Sequence, residues 1–152
     1  MKITPRLMKM ILNLYPPYLG TGIRVTSIAK DWHETRVSMK LRWYNRNAVG
    51  TQFGGSLYSM VDPHLMLMLM NLLGKSYLVW DKAAEIEFVT AGRGTVSAIM
   101  TITDEDLSLI RRQTADGKKY FARFQVPICD KQGQLVARVR KTIYIRKKRQ
   151  NQ

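Results

Sequence analysis

The residue types best suited to chemistry lie in one stretch, NAVGTQFGGSLYSMVDP, from Asn47 to Pro63. Gly54 and Gly55 come first, and a glycine pair lets another molecule approach the backbone closely. If a helix starts there, its free amides attract partial negative charge, such as the oxygen of a polarised carbonyl. Taken alone the pair is a weak signal, since paired glycines are more often a turn. An uncharged run containing Leu57, Tyr58, Met60 and Val61 follows, then Asp62 and Pro63. Asp62 has two readings. It caps a helix that begins at Pro63, or it sits in an apolar wall beside a proline kink. In the second case desolvation raises its pKa, as suits a general base. Residue chemistry alone leans towards the cap.

The elements that position these residues follow from periodicity. Thr4-Pro5 is a helix start, Leu7, Met8, Ile11, Leu12 and Tyr15 recur at helical spacing, and Pro16-Pro17 should end that helix. Ile23 and Val25 open a strand. Val37, Met39, Leu41 and Trp43 alternate with polar residues as a half-buried strand, with His33 in the connection, facing water. HLMLMLMNLLG reads as a helix apolar on nearly every side, hence buried, closed by Gly74. Four strands follow, near Tyr77–Val89, Val96–Ile102, Tyr120–Ile128 and Gln134–Arg146. A short helix interrupts them, with Asp104, Glu105 and Asp106 at its start and Arg111 and Arg112 at its end. Asp116-Gly117 and Gln132-Gly133 mark turns. Clean alternation favours an antiparallel sheet covered on one face. An α+β domain results, with the sheet wrapped around a single apolar helix.

The chain has 152 residues, within the range of a single domain, and a formal net charge of +14. That excess attracts anions: nucleic acid, membrane phosphates, an acidic carrier protein or a phosphate-rich small molecule. We take residues 1–146 as one domain and 147–152 as a basic, solvated tail, next to the concentration of charge at Arg146, Lys147, Lys148 and Arg149. Cys129 is the single cysteine, which excludes an internal disulfide and offers no metal cluster; its apolar surroundings suggest a small buried residue. The N-terminus has no long apolar stretch of the signal-peptide kind, and Leu65 to Leu73 is too short to span a bilayer. A cytoplasmic protein is expected, with no metal and no membrane among its partners.

The motif from Asn47 to Gly55, with Asp62 nine residues after Phe53, resembles the hotdog-fold acyl-CoA thioesterases of the phenylacetyl-CoA thioesterase type. Their pattern is Asn-x-x-Gly-x-x-His-Gly-Gly followed by an acidic residue on the central helix. Phe-Gly-Gly-Ser-Leu-Tyr-Ser (Phe53 to Ser59) and Trp-Asp-Lys-Ala-Ala (Trp80 to Ala84) bring it nearer still to that superfamily's domain-of-unknown-function branch. The resemblance implies a hotdog fold, a curved antiparallel sheet around a buried helix, over nearly the whole chain. It also implies roles. Asp62 would activate water or attack the thioester, the Gly54 amide would polarise the carbonyl, and Asn47 would position water or substrate. Phe53, Gly55, His64, Asp81 and Lys82 would line the substrate site. Phe53 departs from the family's histidine and removes a polar group.

On a continuous helix Gly54 and Asp62, eight residues apart, are separated by roughly 12 Å along the axis. One carbonyl cannot touch both, so the implied homodimer, possible precursor of a tetramer, would join Gly54 of one chain to Asp62 of its partner. The leading reading is hydrolysis of an acyl-CoA or acyl-carrier-protein thioester, with no cofactor other than the CoA of the substrate. Arg93, Arg138 and Arg140 are candidates for its phosphates. A non-catalytic acyl-ligand binder on the same scaffold is the alternative, and Phe53 is its argument. Nucleic-acid binding comes last, since the chain lacks the aromatic-basic motifs of the common RNA-binding folds.

Overall fold

The architecture is that of a computed structural model, which describes residues 3–148. Helix α1 (Pro5–Leu14) starts as expected: Thr4 Oγ1 accepts from the Leu7 amide at 3.3 Å and proline occupies the first turn. Pro16 and Pro17 do not simply end the helical segment. They form the first turn of a second helix, α2 (Pro16–Thr21), where a missing N–H costs nothing, and Gly22 at φ 73° closes it.

Strands β1 (Ile23–Ile28) and β2 (Glu34–Lys40) form an antiparallel pair whose Val25, Val37 and Met39 face inward. The alternation expected to continue through Leu41 and Trp43 stops at Lys40, and Trp43 is 80% exposed. His33 does not face water either. It is half-buried, its Nδ1 is 2.5 Å from the Ile102 carbonyl, and its Nε2 is 3.7 Å from Asp104.

After a loop come α3 (Gly54–Ser59) and α4 (His64–Leu73), then β3 (Tyr77–Phe88), β4 (Thr95–Thr101), α5 (Asp104–Gln113), β5 (Lys119–Asp130) and β6 (Leu135–Lys147). Helix α5 opens with a capping box: Thr103 accepts from the Asp106 amide while the Asp106 carboxylate accepts from that of Thr103. The six strands form one antiparallel sheet in the order β1-β2-β4-β5-β6-β3. Leu65, Met68, Leu69 and Leu73 of α4 are buried in a core shared with Met39, Met100, Ile143 and Ile145 of the sheet.

Several expectations need correction. Helix α4 is not covered all round in the single chain, because Met66 and Leu67 are half-buried and Met70 is 47% exposed. Cys129 is only half-buried, because it follows the inward-facing Ile128 and strand alternation turns it to the other face of the sheet. The supposed tail begins too early: β6 runs through Lys147, and the Lys148 amide donates to the Ser76 carbonyl at 2.8 Å. The rest of that segment, 149–152, lies outside the described residues. No helix among the described residues is long and apolar enough to cross a membrane.

Candidate functional site

Pro63 organises the site by what it lacks. With no N–H, it leaves the carbonyl of Ser59, four residues earlier, without a helical donor. The Tyr18 hydroxyl lies 3.1 Å from that carbonyl and supplies one. Helix α3 therefore stops at Ser59, α4 starts at His64, and the turn between them carries Asp62. Asp62 is not the cap that the Asp-Pro pair suggested. Pro63 occupies the cap position of α4 and no side chain caps it.

The Asp62 carboxylate turns away to meet two other side chains. Its Oδ1 accepts from the Tyr58 hydroxyl at 2.5 Å and from Lys141 Nζ at 3.0 Å. Tyr58 reaches it because residues four apart share a helical face. Lys141 also donates to the Asp62 backbone carbonyl at 3.0 Å. Its ammonium lies 2.9 Å from Asp81 Oδ1, an ion pair without hydrogen-bond alignment. The Lys141 side chain is 0% exposed, against 46% for Asp62 and 28% for Asp81.

Strand geometry explains this burial. Along β6 the inward positions are Ala137, Val139, Lys141, Ile143 and Ile145, so the lysine stands in core phase between branched aliphatics. Asp81 pairs with the inward-facing Ile143 across the sheet and therefore shares its face. A bulge between Asp81 and Ala83 makes Lys82 the extra residue. Lys82 is exposed and belongs to no ion pair found among the described residues, so it does not join the cluster.

Charge follows geometry. Burial pushes the Asp62 pKa up, but the hydrogen bonds from Tyr58 and Lys141 and the lysine's charge outweigh it and hold the carboxyl below the usual aspartate value. The raised pKa expected of a buried general base is thus not found, because that expectation omitted a buried cation. For Lys141, burial pulls the pKa down and the contacts with Asp81 and Asp62 overcome it, leaving the ammonium above its ordinary value. Burial and the bond to Asp62 raise the pKa of Tyr58, which stays a neutral donor.

His64 is elsewhere. It is 1% exposed, its Nε2 lies 2.8 Å from the Tyr18 hydroxyl, and burial pushes its pKa down to about 3. With the Tyr18 proton given to Ser59, the ring donates from Nε2. This is a neutral interior bond, not the substrate-lining position expected.

The glycine end of the motif forms a second assembly. Asn47 has its side chain fully engaged: Nδ2 donates to Thr51 Oγ1 at 2.9 Å, and Oδ1 accepts from the amides of Val49 and Thr51. Gly50, at φ 78°, donates to the Asn47 carbonyl at 3.0 Å and ends a tight turn that only a left-handed residue completes easily. Asn-x-x-Gly is therefore a loop clasp here, and Asn47 has no group left to position water. The clasp presents Gly54 and Gly55, whose amides open α3 and donate to no acceptor found among the described residues. Phe53 precedes them, 54% exposed, with its ring over Gly55, where a Cβ would meet Phe53 Cε1 at 2.6 Å. Asn47, Gln52, Gly54, Leu57, Phe88 and Gly92 line a cavity of about 400 Å3. Asp62 is not in its wall. Within one chain the structure thus groups Asp62 with Asp81, Tyr58 and Lys141, and Gly54 with Asn47 and Phe88.

Arg138 and Arg140 pair with Glu87 and Glu85 on the sheet surface at 2.9 and 3.0 Å, while Arg93 is exposed. Among the described residues no cluster of His, Cys, Asp and Glu could hold a metal ion. Sequence reasoning missed Tyr58, Lys141 and Tyr18. Tyr58 stands at the i, i+4 spacing from Asp62, and Lys141 interrupts an apolar alternation, so both left a signal.

This antiparallel sheet and the helix it encloses define a hotdog fold. Residues 4–145 match the family described as "Domain of unknown function (DUF4442)", and the chain belongs to that family. The structure is similar to PA5026 of Pseudomonas aeruginosa, a protein of unknown function described as a "Probable Thioesterase". The TM-score is 0.80 at 16% identity, covering 96% of this chain and 99% of that one. It also resembles thioesterase HI1161 of Haemophilus influenzae (TM-score 0.69, 12% identity, 97% and 93% covered). A third similar structure is the E. coli PaaI protein of the phenylacetic acid degradation operon (0.59, 18%, 86% and 82%). At these identities the likeness carries the fold. No curated protein matches the sequence.

Proposed function

We propose that this chain hydrolyses acyl thioesters of CoA or of an acyl-carrier protein, with Asp62 as the carboxylate that acts on the thioester or on water. The observation that supports this best is the anchoring of Asp62. Both side-chain bonds fall on Oδ1, the lowered pKa keeps the group ionised at neutral pH, and the side chain is 46% exposed, so Oδ2 is left without a hydrogen bond among the described residues. A helix cap would have used that oxygen on backbone amides instead.

The free Gly54 amide would hold the thioester carbonyl oxygen as charge develops on it. Asp62 takes a proton from water as the water oxygen adds to the acyl carbon. The C–S bond breaks as the tetrahedral adduct collapses to the acid, and that proton passes to the leaving thiolate to give the thiol. Since Asp62 is not in the wall of the Gly54 cavity, the reading needs a second copy, each active site drawing Asp62 from one protomer and Gly54 from the other. The long edge strand β3, paired on one side only with β6, is a template for such association. Thiol release from CoA esters of graded chain length tests the reading.

A second reading is favoured by Phe53 alone. Its exposed ring stands where the resembling enzymes have histidine and would suit the retention of an acyl ligand without turnover. Saturable binding of CoA esters with no thiol release would select it.

A further inference from the structure

Helix α1 carries an apolar face wider than the body of the protein covers, with Arg6, Lys9 and Asn13 on its remaining side. Met8 and Leu12 are buried against the body of the protein, whereas Met10, Ile11 and Leu14 are 55%, 45% and 65% exposed. A helix at the surface of a globular domain ordinarily presents polar residues outward. Leu19 of α2, 57% exposed, and Tyr15, 48% exposed, extend the apolar strip beyond the end of α1. Such a strip on a lone chain marks an interaction surface.

Charge identifies what would cover it. The first acidic residue of the sequence is Asp31; before it stand Lys2, Arg6, Lys9, Arg24 and Lys30. A cleft of about 390 Å3 joins Leu14 and Leu19 to Arg24, Arg42 and Tyr44. Beside it Trp43, 80% exposed, packs edge-on against Tyr44 with ring centroids 5.5 Å apart. Aliphatic side chains at the centre, cations around them and a Trp–Tyr pair at the margin are the composition of a surface that lies in a bilayer interface. An acidic protein would answer the cations but gain little from the open aliphatic strip.

We propose that the outer face of α1 and α2, with Arg24, Arg42 and Trp43, docks this protein peripherally on an anionic lipid surface. Peripheral docking of this kind needs no spanning segment, whose lack was the ground for expecting no membrane among the partners. The inference does not depend on the thioesterase reading.

The test is co-sedimentation of the full chain with vesicles of phosphatidylcholine containing about one third phosphatidylglycerol, and with phosphatidylcholine alone. A net charge of +14 attracts any anionic surface, so the deciding variant keeps the charge: Met10→Ser with Leu14→Ser, both at exposed positions. The expected result is binding to the anionic vesicles that falls about tenfold or more in this variant. Quenching of tryptophan fluorescence by brominated lipid should be lost largely in Trp43→Phe. An unchanged circular dichroism spectrum would exclude misfolding as the cause. Unchanged binding by the serine variant would reduce the effect to bulk charge and overturn the proposal. So would absence of binding by the wild type at low salt, or a serine variant that loses self-association, read by light scattering, with lipid binding intact.

Discussion

Lys141 Nζ, wholly enclosed by protein, lies 3.0 Å from Oδ1 of the half-exposed Asp62. One side of the carboxylate is thereby fixed from the interior while the other is left to the surface. Burial of a lysine is tolerated because Asp62, Asp81 and the Asp62 carbonyl surround its ammonium.

Removing the cation should therefore cost stability. Lys141→Ala leaves two carboxylates facing each other across a cavity and should destabilise by roughly 2–3 kcal/mol, below the figure for fully buried pairs because both acids reach solvent. Lys141→Met keeps the volume and should be milder. Urea denaturation of the three proteins measures the order; a Lys141→Ala protein as stable as wild type would mean that the contact is not maintained in solution.

The Asp62 pKa lies below the ordinary aspartate value, so its ionised form predominates throughout the neutral and mildly acidic range. Activity that needs the carboxylate should be flat through the neutral range on this group's account. It should fall only as pH drops through the depressed pKa. Lys141→Met removes an opposing charge and should move the acid limb to higher pH. An acid limb unmoved by this change would detach Asp62 from Lys141.

His64 should make the fold sensitive to acid. The folded ring, with its pKa near 3, stays neutral where the unfolded chain titrates at about 6.5. Protons thus bind the unfolded state preferentially between those values. The contribution is fully held above about pH 6.5 and is lost on acidification by ~1.4 kcal/mol per unit. His64→Gln, which can still donate to Tyr18, should start less stable but show a shallower slope from pH 7 to 5. Equal slopes in denaturant titrations would refute this.

A methyl group at Gly54 should separate activity from folding. Its Cβ would meet the Phe88 ring at 2.8 Å, and that ring is 58% exposed and free to swing. Gly54→Ala should lose under about 1 kcal/mol of stability, yet block the cavity in front of the amide and lower kcat/KM at least tenfold. Full activity in this variant would place the carbonyl elsewhere.

What could be read in the sequence was local. Thr4-Pro5, the Thr103–Asp106 box and the glycine turns each involve neighbours in the chain, and strand alternation needs only a few residues. Pro16-Pro17 misled because proline both stops one helix and starts the next. The state of Asp62 was illegible in its own neighbourhood, since the charge that sets it comes from a residue 79 positions away. Even so, Lys141 stands between Val139 and Ile143 in an inward phase, and a lysine there demands a buried anion. The role of Asn47 went the other way. Its motif suggested chemistry, and the structure uses every polar group of its side chain to fold the loop.

The most direct measurement is thiol release from a panel of acyl-CoA esters by wild type and Asp62→Asn, with the folded state of each checked by thermal unfolding. Turnover is expected on at least one chain length, with a fall of about a hundredfold or more in the variant, in line with loss of a positioned acid–base group. Activity equal in the two proteins, or absent from the wild type on every ester, would contradict it.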